Sequence, residues 1–192
     1  VYKRQPTETP TFTNTFTPVP SEVIIDDCED SNNINYLGGY WYDFCDGEST
    51  ITPDPGGTFV MNSGGANGTN FSARIYGNIA PQLTPDVYPY AGLATGLNPN
   101  SGAPNYQETD ISVYTGIQFW AKGDGEQYAI KIPYKNSSGD TLTGWNDYKY
   151  IFIAPSNWTF IKIPFSDFSQ DAGWGTIVPL EDVLIHAKEF QW

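Results

Sequence analysis

The groups in this sequence that could do chemistry are clustered carboxylates, a lone histidine, two cysteines and many aromatic rings. The densest cluster is "DDCED", which puts Asp26, Asp27, Glu29 and Asp30 within five residues. Hard oxygen ligands of this kind are what Ca²⁺ takes. On an extended segment Asp27 and Glu29 share one face while Asp26 and Asp30 share the other. The run lacks the spacing of an EF-hand loop. Two readings therefore stand side by side: a structural calcium site on Asp27 and Glu29, or a solvated acidic turn.

Hydrolytic chemistry finds little to work with. His186 is the single histidine, and no Gly-x-Ser-x-Gly elbow occurs, so a serine triad has no basis. A lone histidine in an apolar run reads as a structural residue. Zinc finds no ligand spacing among one His and two Cys, and none is expected. The 22 acids offer many pairs for glycoside cleavage, but nothing singles one out. We expect no enzyme. Cys28 and Cys45 lie in early strand-like runs; paired, they would close a loop worth roughly 3 kcal/mol in the chain-entropy model. In an acidic chain of exported character we expect that disulfide, against the alternative of two buried thiols.

Length and composition bound the rest. A chain of 192 residues suits one domain plus a tail, and 6 Trp, 13 Tyr and 11 Phe supply core area despite a hydrophobic fraction of 39%. Nine Lys and Arg against 22 Asp and Glu give a net charge of -13, which repels nucleic acid and anionic membranes. No apolar run approaches the ~18 residues of a membrane span. Low Lys with abundant Gly, Asn and Thr has an extracellular look. The chain opens on Val1, and "VYKRQ" is set aside as a processed or fragment end.

These groups must be positioned by strands. Short runs rich in β-branched and aromatic residues recur: "EVIIDD", "GYWYDFC", "TFVMN", "FSARIYG", "YAGLATGL", "TGIQFWAKG", "QYAIKIPY", "DYKYIFIA", "WTFIKIPF" and "EDVLIHAKEFQW". Turn clusters such as "PDPGG", "NSGGANGTN" and "KGDGE" separate them, and no window carries helical spacing over three turns. In "QYAIKIPY", Tyr128, Ile130, Ile132 and Tyr134 share one face, as in a sheet covered on one side. The expectation is an all-β, antiparallel β-sandwich over residues 21–192, preceded by a Pro/Thr-rich tail or linker over 1–20.

The order of "IIDDCED", "GIQFWAKGDG" and "NWTFIKIPFSDF" followed by "GWG" resembles the carbohydrate-binding modules of the family 11 and CIA30-like type, which are galactose-binding-like jelly rolls. The resemblance spans residues 23 to about 190. It implies a non-catalytic sandwich, one concave aromatic-lined sheet for an extended glucan, and calcium near the chain ends. It places a stacking ring at Tyr90, ligand-facing groups at Trp145, Asn146 and Tyr148, and further binding side chains at Gln170 and Trp174. Trp145 and Trp174 also adjoin glycines in turn-rich sequence, which favours exposure, whereas Trp120 and Trp158 are expected in the core. Two departures stand out. Cys28 occupies a position where Phe is expected, and the family's closing strand of the "fxIDxI" kind has no counterpart before Trp192. Either the chain is cut there or something else fills the gap.

The tail supplies one candidate. In "PTFTNTFTPVP" Thr alternates with Phe12 and Phe16, a pattern that serves equally as linker or as a strand with two faces. Donated to the edge of a neighbouring copy, with Phe12 and Phe16 in pockets, it would build a head-to-tail filament. The first functional expectation is thus an extracellular self-assembling subunit. The alternative is a glycan-binding module tethered to a larger polysaccharide-active protein. Asn67, Asn70, Asn136 and Asn157 head glycosylation sequons and matter only where the source glycosylates.

Overall fold

A computed structural model describes residues 22–82, 88–100, 107–136 and 138–192. Phe12, Phe16 and the 20/21 boundary lie outside these residues. The strands are β1 (Trp41–Cys45), β2 (Thr50–Thr52), β3 (Asn62–Ser63), β4 (Phe71–Ser72), β5 (Tyr76–Asn78), β6 (Ala91–Gly96), β7 (Gly116–Ala121), β8 (Gln127–Ile132), β9 (Tyr148–Ile153), β10 (Thr159–Pro164) and β11 (Glu189–Gln191). A five-stranded sheet runs β1-β6-β11-β8-β9, and β10 pairs with β7 in the facing layer. Two small pairs, β2-β5 and β3-β4, complete the set, and every pairing is antiparallel.

Alternation builds the sandwich. In β7, Ile117 and Phe119 face inward opposite Ile163 and Ile161 of β10. From the larger sheet, Ile130, Ile132 and Phe190 enter the same core, with Phe165, Phe168, Val183 and Leu184 behind them. A second cluster of Trp41, Phe59 and Met61 fills the β1 end. Between the layers lies a cavity of ≈ 1420 Å³ bordered by residues including Leu37, Phe119, Phe190 and Trp192. Among the described residues β10 is the one strand beside β7.

Several expectations change; "TFVMN" gives only Asn62 to a strand, and "FSARIYG" divides between β4 and β5. "EVIIDD" is not a strand, because Asp26 and Asp27 turn their carboxylates onto the N–H groups of Cys28 and Glu29 and bend the chain. "EDVLIHAKEFQW" divides into the end of a short helix, α1 (Leu180–Ile185), and β11. Pro179 precedes the first turn, which carries Glu181 and Asp182, and Val183 and Leu184 are buried. This signal is too short to show as three turns of periodicity. Trp120 faces outward at 43% exposure, its ring tilted against that of Phe160, while Trp158 is half-buried on the cavity. Finally, Cys28 and Cys45 are both free. Cys28 (φ 62) packs with the Trp41 cluster, and Cys45 lies at the far end of β1 with its Sγ on the Ser49 carbonyl at 3.5 Å. Four residues of strand cover about 13 Å, well beyond disulfide reach. Burial, aided by the Asp26 carboxylate, pushes the Cys28 thiol up to about 12.

Candidate functional site

The outer face of the five-stranded sheet holds the best-built constellation. In β1, Trp41 and Asp43 point inward, so Tyr40, Tyr42 and Phe44 point out. Their ring centroids are 5.9 Å (Tyr40–Tyr42) and 6.1 Å (Tyr42–Phe44) apart, and Tyr90 continues the line 6.3 Å from Phe44. Four rings thus run along one sheet edge. The neighbouring strand β6 offers only Gly92, Ala94 and Gly96 on this face, opposite Phe44, Tyr42 and the Tyr40 end. With no larger side chain in the way, Tyr42 and Phe44 lean over β6. A Cβ on Gly92 would stand 2.5 Å from the Phe44 ring, and outward-facing Ala94 is 0% exposed.

Tyr42 is fixed at its far end. Its hydroxyl crosses β6 and donates to Glu189 Oε2 of β11 at 2.7 Å. Glu189 Oε1 accepts Lys135 Nζ at 2.6 Å and Gln191 Nε2 at 2.8 Å, so three donors satisfy a carboxylate that is itself fully buried. The strand is aimed from below by Asn35, 3% exposed, which donates to Thr95 Oγ1 and the Gly96 carbonyl and accepts the N–H groups of Leu37 and Gly39. This sets the turn that leads into Tyr40.

Registers extend the site across the sheet. Tyr42, Ala94, Gln191, Lys131 and Lys149 form one row through all five strands, about 19 Å from end to end. At the β9 wall Lys149 pairs with Asp171, which also accepts the Trp174 indole N–H; first Lys149, then Trp174, hold that carboxyl below its ordinary range. Exposed Ile151 and Ile153 continue this wall. Such a face can stack pyranose rings on its aromatic ladder and offer amide, ammonium and carboxylate groups to hydroxyls.

The residues implied by the resemblance divide into two groups. Tyr90, Trp145 and Trp174 are exposed at 54%, 67% and 47%. Asn146, Tyr148 and Gln170 are spent inside. Asn146 Nδ2 donates to the Asp171 and Trp174 carbonyls, and its Oδ1 accepts Asp171 N–H. Gln170 Nε2 donates to the Asn146 and Thr176 carbonyls, and its Oε1 accepts Val178 N–H. These two amides clamp the loops that carry Trp145 and Trp174. Tyr148 faces inward opposite Ile132 and donates its hydroxyl to the Val178 carbonyl at 2.9 Å. Missed in the sequence were Tyr40, Tyr42, Phe44, Glu189 and Gln191. The alternations in "YWYDF" and "KEFQW" carry that signal once the partner strands are known.

The acidic run is differently employed. Asp26 accepts Trp41 Nε1 at 2.6 Å, Asp27 accepts the Tyr36 hydroxyl, and Glu29 accepts N–H groups of Asn70 and Phe71 together with Asn70 Nδ2. Among the described residues no group of three or more His, Cys, Asp or Glu is placed to hold a metal ion. His186 hydrogen-bonds Glu108 through Nδ1 at 2.6 Å and stacks on Tyr134. Of the sequon asparagines, Asn67, Asn70 and Asn157 are exposed and Asn136 is half-buried; Asn70 and Asn136 donate their amides to Glu29 and Asp140.

Comparison with known proteins bears on this geometry. A family model described as Complex I intermediate-associated protein 30 (CIA30) matches residues 67–186, more than half of the chain. The chain belongs to the CIA30 family. The family 11 carbohydrate-binding module of a cellulosomal cellulase of Clostridium thermocellum superposes with a TM-score of 0.58 at 17% identity, covering 91% of this chain and 85% of that one. A family 11 module from the same organism, solved with a β-1,3-1,4-mixed-linked tetrasaccharide, gives a TM-score of 0.53 at 16% identity, covering 88% and 82%. The CIA30-family chain therefore has the family 11 β-sandwich fold. It is also 25% identical over 174 residues to Endoglucanase 3 of Fibrobacter succinogenes, a match that takes in 88% of this chain and 24% of that protein. No helix among the described residues is long and apolar enough to cross a membrane.

Proposed function

We propose that the outer sheet face binds an extended β-glucan-type polysaccharide without cleaving it, as an extracellular module of a polysaccharide-active protein. The observation that carries this reading is the four-ring ladder of Tyr40, Tyr42, Phe44 and Tyr90, successive rings tilted by 46–52° beside a strand of Gly and Ala. Support comes from two solved relatives that are carbohydrate-binding modules and from a sequence relative that is an endoglucanase. The assembly reading rests on Phe12 and Phe16, outside the described residues, and takes no support from these relatives. Calcium at Asp27 and Glu29 forms no part of the proposal, because both carboxylates already accept hydrogen bonds. The test is affinity electrophoresis in gels containing soluble mixed-linkage β-glucan, xyloglucan or a neutral cellulose ether. Retardation by at least one glucan, clearly reduced in Tyr42→Ala, is the expected result. Wild-type migration that none of the three alters overturns the reading.

A further inference from the structure

Resting on that reading, we propose that Lys131, together with Lys149, forms a subsite for a carboxylate group of the bound polysaccharide, so that the preferred ligand carries uronic acid units. Lys131 and Lys149 are direct cross-strand partners on β8 and β9. Like charges in that relation destabilise a sheet. Lys149 is answered by Asp171. Lys131, half-buried in the middle of the row, makes no hydrogen bond or ion pair with any described residue, and shares with Lys149 the electrostatic influence of Asp171.

The charges on this face make the same point. Of nine Lys and Arg, Lys3 and Arg4 lie outside the described residues, leaving seven. Three of them, Lys131, Lys135 and Lys149, bring their ammonium groups to this face, where Glu189 and Asp171 are the carboxylates that pair with them. Glu189 is fully committed to Tyr42, Lys135 and Gln191. One positive charge is left over, in a chain whose net charge is -13. A polysaccharide stacked on Tyr42 and crossing the sheet along the row passes over Ala94 and Gln191 to reach Lys131, about 14 Å away. A sugar hydroxyl would leave that excess in place, whereas a carboxylate neutralises it and separates the two ammoniums. The chain's overall acidity does not prevent this. At physiological salt the Debye length is about 8 Å, so distant acids are screened while the contact pair is not.

The matched probes are one mixed-linkage β-glucan and the same glucan partly oxidised at C6 to the uronic acid, titrated calorimetrically against the wild type, Lys131→Gln and Lys131→Arg at about 0.15 M salt. The wild type is expected to bind the oxidised polymer about fivefold tighter, with the ratio collapsing in Lys131→Gln, surviving in Lys131→Arg and shrinking at high salt. If the neutral glucan binds and the oxidised one binds no tighter, the carboxylate subsite is overturned while glycan binding stands. If neither polymer binds, both proposals fall. Thermal melts of the variants confirm that each is folded, and a ratio that persists in Lys131→Gln also refutes the assignment.

Discussion

Replacing Tyr42 by Phe separates two jobs that the structure gives to one side chain. The ring lies across β6 as part of the aromatic ladder, and the hydroxyl is one of three donors to the fully buried Glu189 carboxylate. Removing that hydroxyl leaves the ring and withdraws a hydrogen bond to a charged acceptor, which costs about 1.5–3 kcal/mol. For a domain of this size each kcal/mol moves Tm by about 2–4 °C, so a loss near 2 kcal/mol lowers Tm by roughly 4–8 °C. Differential scanning fluorimetry reads the shift directly. Glucan affinity in Tyr42→Phe should stay within about threefold, because the stacking face is retained, whereas Tyr42→Ala should weaken binding about tenfold, equivalent to 1.4 kcal/mol. A Tm within about 1 °C of wild type would refute the idea that the hydroxyl supports Glu189. Equal loss of affinity in Phe and Ala variants would instead mean that the hydroxyl touches the ligand.

Other consequences are as specific. Asp43 is 8% exposed with Oδ2 lacking any partner, and burial raises its pKa above the ordinary 3.8. The folded state therefore holds its proton more tightly, and stability falls as pH rises through the folded value. Asp43→Asn should raise Tm at pH 7, and the gain should vanish below the unfolded value, as pH-dependent melts would show. Trp145 follows Gly144 at φ 70 in the left-handed region, a cost of about 1–2 kcal/mol that its 67% exposure does not repay in packing. Trp145→Gly should thus stabilise the fold by about 1 kcal/mol while weakening glucan binding, checked by paired melts and titrations. Because Cys28 and Cys45 are free and the Cys28 thiol is raised, reductant should leave Tm unchanged and maleimide should label Cys28 slowly in the native protein, read by peptide mapping; a large drop in Tm with reductant would restore the disulfide.

What could be read from the sequence was periodicity, and what could not was adjacency. The two-residue alternation in "TGIQFWAKG" and "QYAIKIPY" identifies strands and their buried faces, because side-chain direction in a strand is a local property. Trp120 shows the limit of that logic. Its parity is opposite to Ile117 and Phe119, so its outward position was available from the pattern, but its type suggested the core. The candidate site lies further from reach. Tyr40, Tyr42 and Phe44 form a platform only because β6, some fifty residues later, places Gly92, Ala94 and Gly96 beside them, and Glu189 anchors Tyr42 only because β11 inserts between β6 and β8. Registers of that kind arise from long-range packing, and no window of sequence contains them. The family resemblance led instead to the loops around Trp145 and Trp174, where hydrogen-bonding side chains are easy to mistake for ligand contacts. Asn146 and Gln170 have the right chemistry to hold a sugar. Set between two loops whose backbone groups need partners, they hold the loops, and the indoles those loops carry are left to meet whatever binds.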